Sequence, residues 1–155
     1  MMETTKHRVG SDGAFQMNSN TGASGVIIRD ERGDTLGVEG RWMEHLPDSI
    51  TAEAMAARNG LSLAVASGYH KVILEVDNRS LAISLRAVVP DILTISGLCR
   101  EIQELGRSFV EFEVSLVGRE PNSAAHCCAK MATASSRVCS CVDYTPDWLS
   151  CDQRL

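Results

Sequence analysis

Clustered and alternating apolar residues predict three β-strands at the start of the chain. Residues 9–14 and 25–30 are short apolar runs separated by a polar loop, and a third run spans 35–42. The turn before the third run contains Gly33, which can supply the positive φ of a tight hairpin connection. Three strands joined by short turns indicate an antiparallel meander.

Three later segments have the spacing of helices, because their apolar residues recur every three or four positions. The first segment begins after Pro47 and ends at Gly68, and the second is broken by Pro90. Between them, residues 72–77 form a compact β-branched run that predicts a fourth, central strand. The helical stripes consist of Ile50, Ala54, Ala57, Leu61 and Ala64, of Leu81, Leu85 and Val88, and of Ile95, Leu98, Cys99, Ile102 and Leu105.

The clearest period-two pattern lies at 110–116, where apolar residues alternate with Glu111, Glu113 and Ser115. This pattern predicts a fifth strand with one face in water. A last helix follows Pro121, because proline suits the first turn of a helix. The positions of this helix that are predicted to face inward are Ala124, Ala125, Cys128, Ala129 and Ala132.

The predicted order is therefore three strands, a helix, a strand, two helices, a strand and a helix. This alternation indicates an α/β fold, and 155 residues are typical of one domain. We expect a short N-terminal lead at 1–7, a domain at 8–136 and a C-terminal tail at 137–155.

Charge and cysteine content limit the class of function and the compartment. The net charge is −5, so the chain lacks the basic surface with which general nucleic-acid binders neutralise phosphates. The six cysteines follow no apolar leader and match no standard zinc spacing, so we interpret them as reduced thiols. No run approaches the ~18 apolar residues of a membrane span. We expect a soluble intracellular monomer with no membrane partner, in either the nucleus or the cytoplasm.

Three acidic residues lie in segments otherwise built for burial. Asp12 lies in the first strand, Glu53 in an alanine-rich part of the first helix, and Asp77 at the end of the fourth strand. Glu53 is three residues after Ile50 and four before Ala57, so it faces the sheet. Clustered carboxylates repel one another unless a cation joins them, and Mg²⁺ prefers oxygen ligands. The sequence therefore predicts a metal site formed by these three carboxylates.

Four short motifs occur in an order that matches a known family. They are Asp12-Gly13-Ala14, Ala52-Glu53-x-x-Ala56, Glu75-Val76-Asp77-Asn78 and Arg119-Glu120-x-Asn122-x-x-Ala125-His126. Over about residues 8–152, the chain resembles the ribonuclease H family. It is similar, more narrowly, to the plant branch of reverse-transcriptase-like ribonuclease H domains, in Ile28-Arg29-Asp30-x-x-Gly33 and Pro146-Asp147-Trp148-Leu149.

The resemblance implies a ribonuclease H-like fold, in which helices flank a mixed five-stranded sheet of three antiparallel strands followed by parallel strands. It implies metal-dependent endonucleolytic cleavage of the RNA strand of RNA–DNA hybrids with two Mg²⁺ ions, or Mn²⁺ as an alternative. Asp12 would bridge both ions, and Glu53 and Asp77 would complete one site. Two such ions, roughly 3.5–4 Å apart, can activate a water and stabilise the leaving oxygen. The motifs also add His126 as a catalytic residue, and Asn78, Arg119 and Asn122 as contacts to the hybrid or another nucleic acid.

The chain departs from the family pattern at His126, where most active relatives carry an aspartate. Imidazole suits transition metals better than Mg²⁺, so one of the two sites is expected to bind Mg²⁺ weakly. Gly10 replaces a usual asparagine and is expected to loosen the first strand, and Cys128 replaces a usual leucine, which removes core volume. Two alternatives to an enzyme are therefore a catalytically impaired nucleic-acid-binding relic of a plant retroelement and an inert gene fragment.

Structural roles are also open for the individual residues. Asp12 could be a turn residue before Gly13, Glu53 a carboxylate favoured by the helix dipole, and Asp77 the N-cap of the next helix. The recurrence of all three acids favours the metal site. The structural alternatives for the other candidates are a surface position for His126, packing or ion pairing for Arg119, and a helix start for Asn122.

Overall fold

Helices and strands form along most of the chain where the apolar spacing predicts them. The computed structural model describes residues 5–89, 92–135 and 139–142, so Pro90, Cys151 and the motif at 146–149 lie outside the described residues. Within those ranges, no helix is both long and apolar enough to cross a membrane. The elements are β1 Lys6–Gln16, β2 Thr21–Arg29, β3 Thr35–Met43, α1 Ser49–Ala66, β4 Lys71–Val76, α2 Arg79–Arg86, α3 Ser96–Arg107, β5 Glu111–Leu116, α4 Ser123–Ser135 and β6 Cys139–Val142.

The strands form one mixed sheet with the order β5-β4-β1-β2-β3-β6. Strand β2 is antiparallel to β1 and β3, whereas β4 is parallel to β1 and β5. The strands β1 to β5 confirm the predicted five-stranded mixed sheet and the ribonuclease H-like fold class. The short strand β6 pairs antiparallel with β3, so residues 139–142 of the predicted tail extend this sheet at one edge.

One face of the sheet carries the larger core. Side chains of alternate strand residues, including Val9, Val26 and Leu74, pack there with residues of α1, α2 and α3. Leu61 of α1 and Ile102 of α3 are fully buried in this layer. The small alanines of α1 let the helix lie close to β1, which places the start of α1 beside the middle of that strand.

Helix α4 covers the opposite face and approaches β2 and β3 closely. A Cβ on Gly25 would lie only 1.8 Å from the carbonyl oxygen of Ala125, and one on Gly40 would lie 2.5 Å from that of Cys128. The two glycines therefore make the close contact possible. The prediction for this helix is confirmed, because all five expected inward residues are buried, namely Ala124, Ala125, Cys128, Ala129 and Ala132.

Two apolar patterns are only partly buried. The backbone of Ala87 is extended, with φ −74° and ψ 146°, so α2 ends before Val88, which is 98% exposed. The prediction that Val88 continues the helical stripe is therefore wrong. In β5, Phe112 and Val114 pack against the core, but Val110, just before the strand, is 57% exposed. The apolar face of β5 is therefore buried only at its middle residues, Phe112 and Val114.

Strand β1 keeps its pairing at Gly10. This residue is opposite Ile27 of β2, where the register continues before and after it, and it forms the last pair with β4, opposite Glu75. A Cβ on Gly10 would lie 3.3 Å from Oδ1 of Asn122, so the asparagine side chain borders the space that the glycine leaves. The loosening of β1 expected from this glycine is therefore not observed in the pairing of β1 with β2.

Candidate active site

Three carboxylates from three different elements meet at one end of α1. Asp12 lies on β1, Glu53 on α1 and Asp77 directly after β4. One oxygen of each carboxylate lies within 4.8 Å of the others. Gly13 allows this approach, because a Cβ there would lie 2.4 Å from the backbone carbon of Ala52. The parallel pairing of β1 with β4 brings in the third carboxylate.

The structural alternatives for the three acids do not fit their positions. Asp12 lies inside β1, opposite Gly25 of β2, and is therefore not a turn residue. Glu53 lies beyond the first turn of α1, where the effect of the helix dipole has fallen off. Helix α2 is capped by Asn78, whose side-chain oxygen accepts a hydrogen bond of 2.9 Å from the Leu81 N–H. Asp77 therefore does not supply this cap.

The carboxylates strongly perturb one another. Burial, followed by the negative charges of Asp12 and Asp77, raises the pKa of Glu53 to about 8, although a hydrogen bond from the Gly13 backbone opposes this effect. Burial also raises the pKa of Asp12, which is 6% exposed, and the hydrogen bond with His126 partly offsets the rise. The metal-free site therefore favours a protonated Glu53 near neutral pH.

The donor set fits a divalent cation. Oε2 of Glu53 is buried and has no hydrogen-bond partner among the described residues, although a buried carboxylate oxygen normally has one. A cation beside Asp12 and Asp77 would satisfy this atom and remove the repulsion within the cluster. Asp12, Glu53 and Asp77 are thus the residues that could hold the metal.

The stability of the metal-free protein should fall as the pH rises. Folded Glu53 keeps a proton up to about pH 8, whereas the unfolded side chain releases it near its ordinary pKa of 4.5. The folded state therefore binds more protons between these values, and stability is lost across this window. With chelator present, we expect the melting temperature at pH 8 to be roughly 5 °C or more below that at pH 5.

Glu53→Gln should flatten this dependence, and Mg²⁺ should stabilise the native protein more at pH 8 than at pH 5. Calorimetric or optical melting of both proteins, with and without chelator, measures these effects. A native protein whose melting temperature is equal or higher at pH 8 in chelator would contradict the assigned environment of Glu53.

His126 joins the site from the early part of α4. Its Nδ1 lies 2.8 Å from Oδ2 of Asp12, and the imidazole donates this hydrogen bond because a carboxylate only accepts. The His126 side chain is 59% exposed, whereas that of Asp12 is 8% exposed. The histidine therefore reaches from the surface to the edge of the carboxylate cluster.

The predicted substrate contacts occupy different environments. Asn78 and Arg119 line an open pocket of about 720 Å³ together with the three carboxylates and His126. Arg119 is exposed and has no ion pair within 4.0 Å among the described residues, although its positive charge acts on Asp12 and lowers the pKa of that carboxyl. Glu120 and Ser123 also line the pocket, although their residue types gave no signal beyond their place within the last motif.

Asn122 lies inside the protein and does not line this pocket. It is 2% exposed, and its amide donates a hydrogen bond of 2.9 Å to the carbonyl oxygen of Ser11. This contact joins the segment before α4 to β1, next to Asp12. The hydrogen bond of Asn122 thus holds the start of α4, and with it His126, against β1.

Asn122→Ala should destabilise the protein by about 1–3 kcal/mol, because it leaves the buried Ser11 carbonyl without its donor. The loss is measured as a change in the free energy of unfolding in urea. Asn18→Ala, at an exposed position in the β1–β2 turn, serves as the control and should change stability little. Equal stabilities for the two variants would argue against the structural importance of this hydrogen bond.

Solved structures with the same fold support this arrangement of elements. RNase H1 from the halophilic archaeon Halobacterium salinarum has 21% sequence identity, a TM-score of 0.72, and coverage of 84% of this chain and 98% of its own. LC11-RNase H1, isolated from compost, has 20% identity, a TM-score of 0.77, and coverage of 84% and 97%. The same enzyme in complex with an RNA/DNA hybrid has 19% identity, a TM-score of 0.74, and coverage of 84% and 98%.

The sequence comparisons identify the family. No curated protein matches the chain. Residues 10–132 match the family model described as reverse transcriptase-like, and this range includes Asp12, Glu53, Asp77 and His126. The chain therefore belongs to the reverse transcriptase-like family and has the ribonuclease H fold.

Proposed function

We propose that this protein hydrolyses the RNA strand of RNA–DNA hybrids by an endonucleolytic, metal-dependent reaction. The observation that carries the proposal is the convergence of Asp12, Glu53 and Asp77, with one oxygen of each within 4.8 Å of the others. Oε2 of Glu53, which is buried and has no hydrogen-bond partner in the described part of the chain, adds a further ligand atom. One structural relative binds an RNA/DNA hybrid, which gives the substrate class to test.

Each residue has a distinct part in the proposed reaction. Asp12, Glu53 and Asp77 would hold divalent cations, with Asp12 shared between two ions. The bound ions, Mg²⁺ or alternatively Mn²⁺, would supply the charge that activates water and neutralises the leaving oxygen. The pairing of β1 with β4 and the packing of α1 against β1 keep the three carboxylates together.

The walls of the pocket offer contacts for a polynucleotide. The side-chain oxygen of Asn78 is used to cap α2, which leaves its amide nitrogen to donate to a ribose hydroxyl. Arg119 is an exposed cation on the pocket wall and can contact a backbone phosphate. A ribose hydroxyl contact would favour RNA over DNA in the cleaved strand.

The proposal is tested with a hybrid that carries a label on its RNA strand. Purified protein should cleave this RNA in Mg²⁺ or Mn²⁺, should stop in chelator, and should leave labelled DNA duplex intact. Asp77→Asn should lose the activity, whereas Asp34→Asn, in the exposed turn before β3, should keep it. Cleavage that persists in chelator or in Asp77→Asn would refute the proposed chemistry.

A folded native protein that binds the hybrid without cleaving it in either metal would instead support the non-catalytic relic. Fluorescence anisotropy of the labelled hybrid measures this binding separately from cleavage. The origin of the domain in a plant retroelement belongs to the same proposal and is supported by the motif Ile28-Arg29-Asp30-x-x-Gly33.

A further inference from the structure

The two sides of the pocket offer different ligand atoms. On the side of α1 and β4, three carboxylates present oxygen atoms to one another, in the cluster of Asp12, Glu53 and Asp77. On the side of α4, Oδ2 of Asp12 faces a nitrogen, Nδ1 of His126, at 2.8 Å. A cation on the first side meets an oxygen-rich site, whereas one on the second side meets one carboxylate and one imidazole.

The geometry at His126 suits a shared ion after a small movement. Two ligands about 2.1 Å from an ion, at angles between 90° and tetrahedral, are separated by about 3.0–3.4 Å. The observed separation of 2.8 Å is only slightly shorter. The His126 side chain is 59% exposed, and its ring makes no other hydrogen bond with the described residues. The imidazole ring can therefore rotate enough to admit an ion, and the hydrogen bond to Asp12 is the only one with a described residue that it has to break.

Ligand chemistry then decides which ion binds. Mg²⁺ prefers oxygen ligands and keeps several waters, whereas imidazole is a good ligand for divalent transition metals. Arg119 adds a positive charge that acts on Asp12, which further disfavours a cation held only by electrostatic attraction. A bond to the imidazole nitrogen would compensate for the repulsion from Arg119 when the bound ion is a transition metal, but much less when it is Mg²⁺.

We infer that the pocket has two cation positions of different chemistry, one formed by Asp12, Glu53 and Asp77 that accepts Mg²⁺, and one formed by Asp12 and His126 that selects a divalent transition metal. The inference rests on the proposed function, because it assumes that the carboxylates bind metal. It adds that His126 determines which metal occupies the second position. Full occupancy of the pocket therefore requires a divalent transition metal, and Mn²⁺ is the one that also suits the carboxylate oxygens of the first position.

The test uses Mn²⁺ alone as the probe, with metal-stripped protein at a fixed pH. Electron paramagnetic resonance of free Mn²⁺ counts the bound ions, and pulsed measurements detect coupling of Mn²⁺ to a nitrogen nucleus. We expect two Mn²⁺ ions per chain, one of them coupled to nitrogen. His126→Ala should lose the nitrogen coupling and weaken the second ion at least about tenfold, since even residues that only orient a ligand typically contribute this much.

Two further variants separate the role of His126 from general effects. His126→Asp should allow a second Mg²⁺ to bind in calorimetric titrations, whereas the native protein should bind one. His45→Ala is the matched control, because His45 lies beside a carboxylate oxygen of Glu44 at 3.6 Å but is far more exposed. The His45→Ala protein should bind Mg²⁺ and Mn²⁺ with the same stoichiometry and affinity as the native protein.

The outcomes distinguish this inference from the proposed function. Absence of nitrogen coupling, or two Mn²⁺ ions bound with unchanged affinity by His126→Ala, would overturn the role of His126 alone. Failure of the native protein to bind either metal would overturn the proposed function as well. Thermal melting of each variant in chelator verifies that the protein is folded, so loss of binding is attributed to the ligand.

Discussion

Asp12→Asn is expected to lower the rate of hybrid cleavage by at least about 10³-fold, because a metal contributes several kcal/mol to transition-state stabilisation and each 1.4 kcal/mol is a factor of ten. Asp12 is the carboxylate that contacts both sides of the pocket: it clusters with Glu53 and Asp77, and it receives the hydrogen bond from His126. The asparagine has the same shape but lacks the negative charge.

The measurement is single-turnover cleavage of labelled hybrid at saturating metal, which reports the chemical step without product release. Asp34→Asn changes the charge equally at an exposed turn and should retain the native rate. The metal-free Asp12→Asn protein should be at least as stable as the native one, because a buried charge repelled by Asp77 is removed. A rate within tenfold of the native value would show that Asp12 is not required for catalysis.

Gly25→Ala is expected to destabilise the fold by about 3 kcal/mol or more, at the upper end of the cost of overpacking. The added Cβ would lie 1.8 Å from the backbone oxygen of Ala125, and 2.5 Å from the nitrogen of Ala129. Backbone atoms cannot rotate away as a side chain can. Helix α4 would therefore have to move off the sheet, and it would take His126 away from Asp12.

Gly97→Ala provides the matched control, because nothing lies within 4 Å of the position of its Cβ. This residue lies in the first turn of α3, where alanine should be neutral or stabilising by up to ~1 kcal/mol. Urea unfolding of both variants measures the difference. If Gly25→Ala were as stable as Gly97→Ala, the close packing of α4 against β2 would not exist in solution.

The sequence was sufficient to predict the first five strands of the sheet and the carboxylate cluster. The apolar spacing predicted β1 to β5 because each strand carries a period-two or compact apolar pattern that survives in the fold. The small residues that face inward on α4 were likewise evident, since only small side chains at a fixed spacing permit such a close approach. Glu53 was identified because a charge among alanines on a buried stripe has few structural explanations.

Other features depended on contacts that no local pattern records. The hydrogen bond between His126 and Asp12 joins residues 114 positions apart, and the cap of α2 falls on Asn78 although Asp77 is an equally good capping residue by type. Val88 has the spacing of the stripe but lies after the helix has ended. Strand β6 has four residues and obtains its conformation from pairing with β3, so its own sequence carries little signal.

The separation of Asp12 from His126 along the chain also determines when the proposed site can form during protein synthesis. A ribosome adds roughly 5–20 residues per second, so a nascent chain that has just exposed Asp12 needs on the order of 6–20 s to produce the partner 114 positions later. Strands β1 and β4, which must pair in parallel, also form a contact distant in sequence, and such contacts form slowly. The nascent chain therefore lacks one wall of the pocket, including His126, until α4 has been translated and has folded onto the sheet.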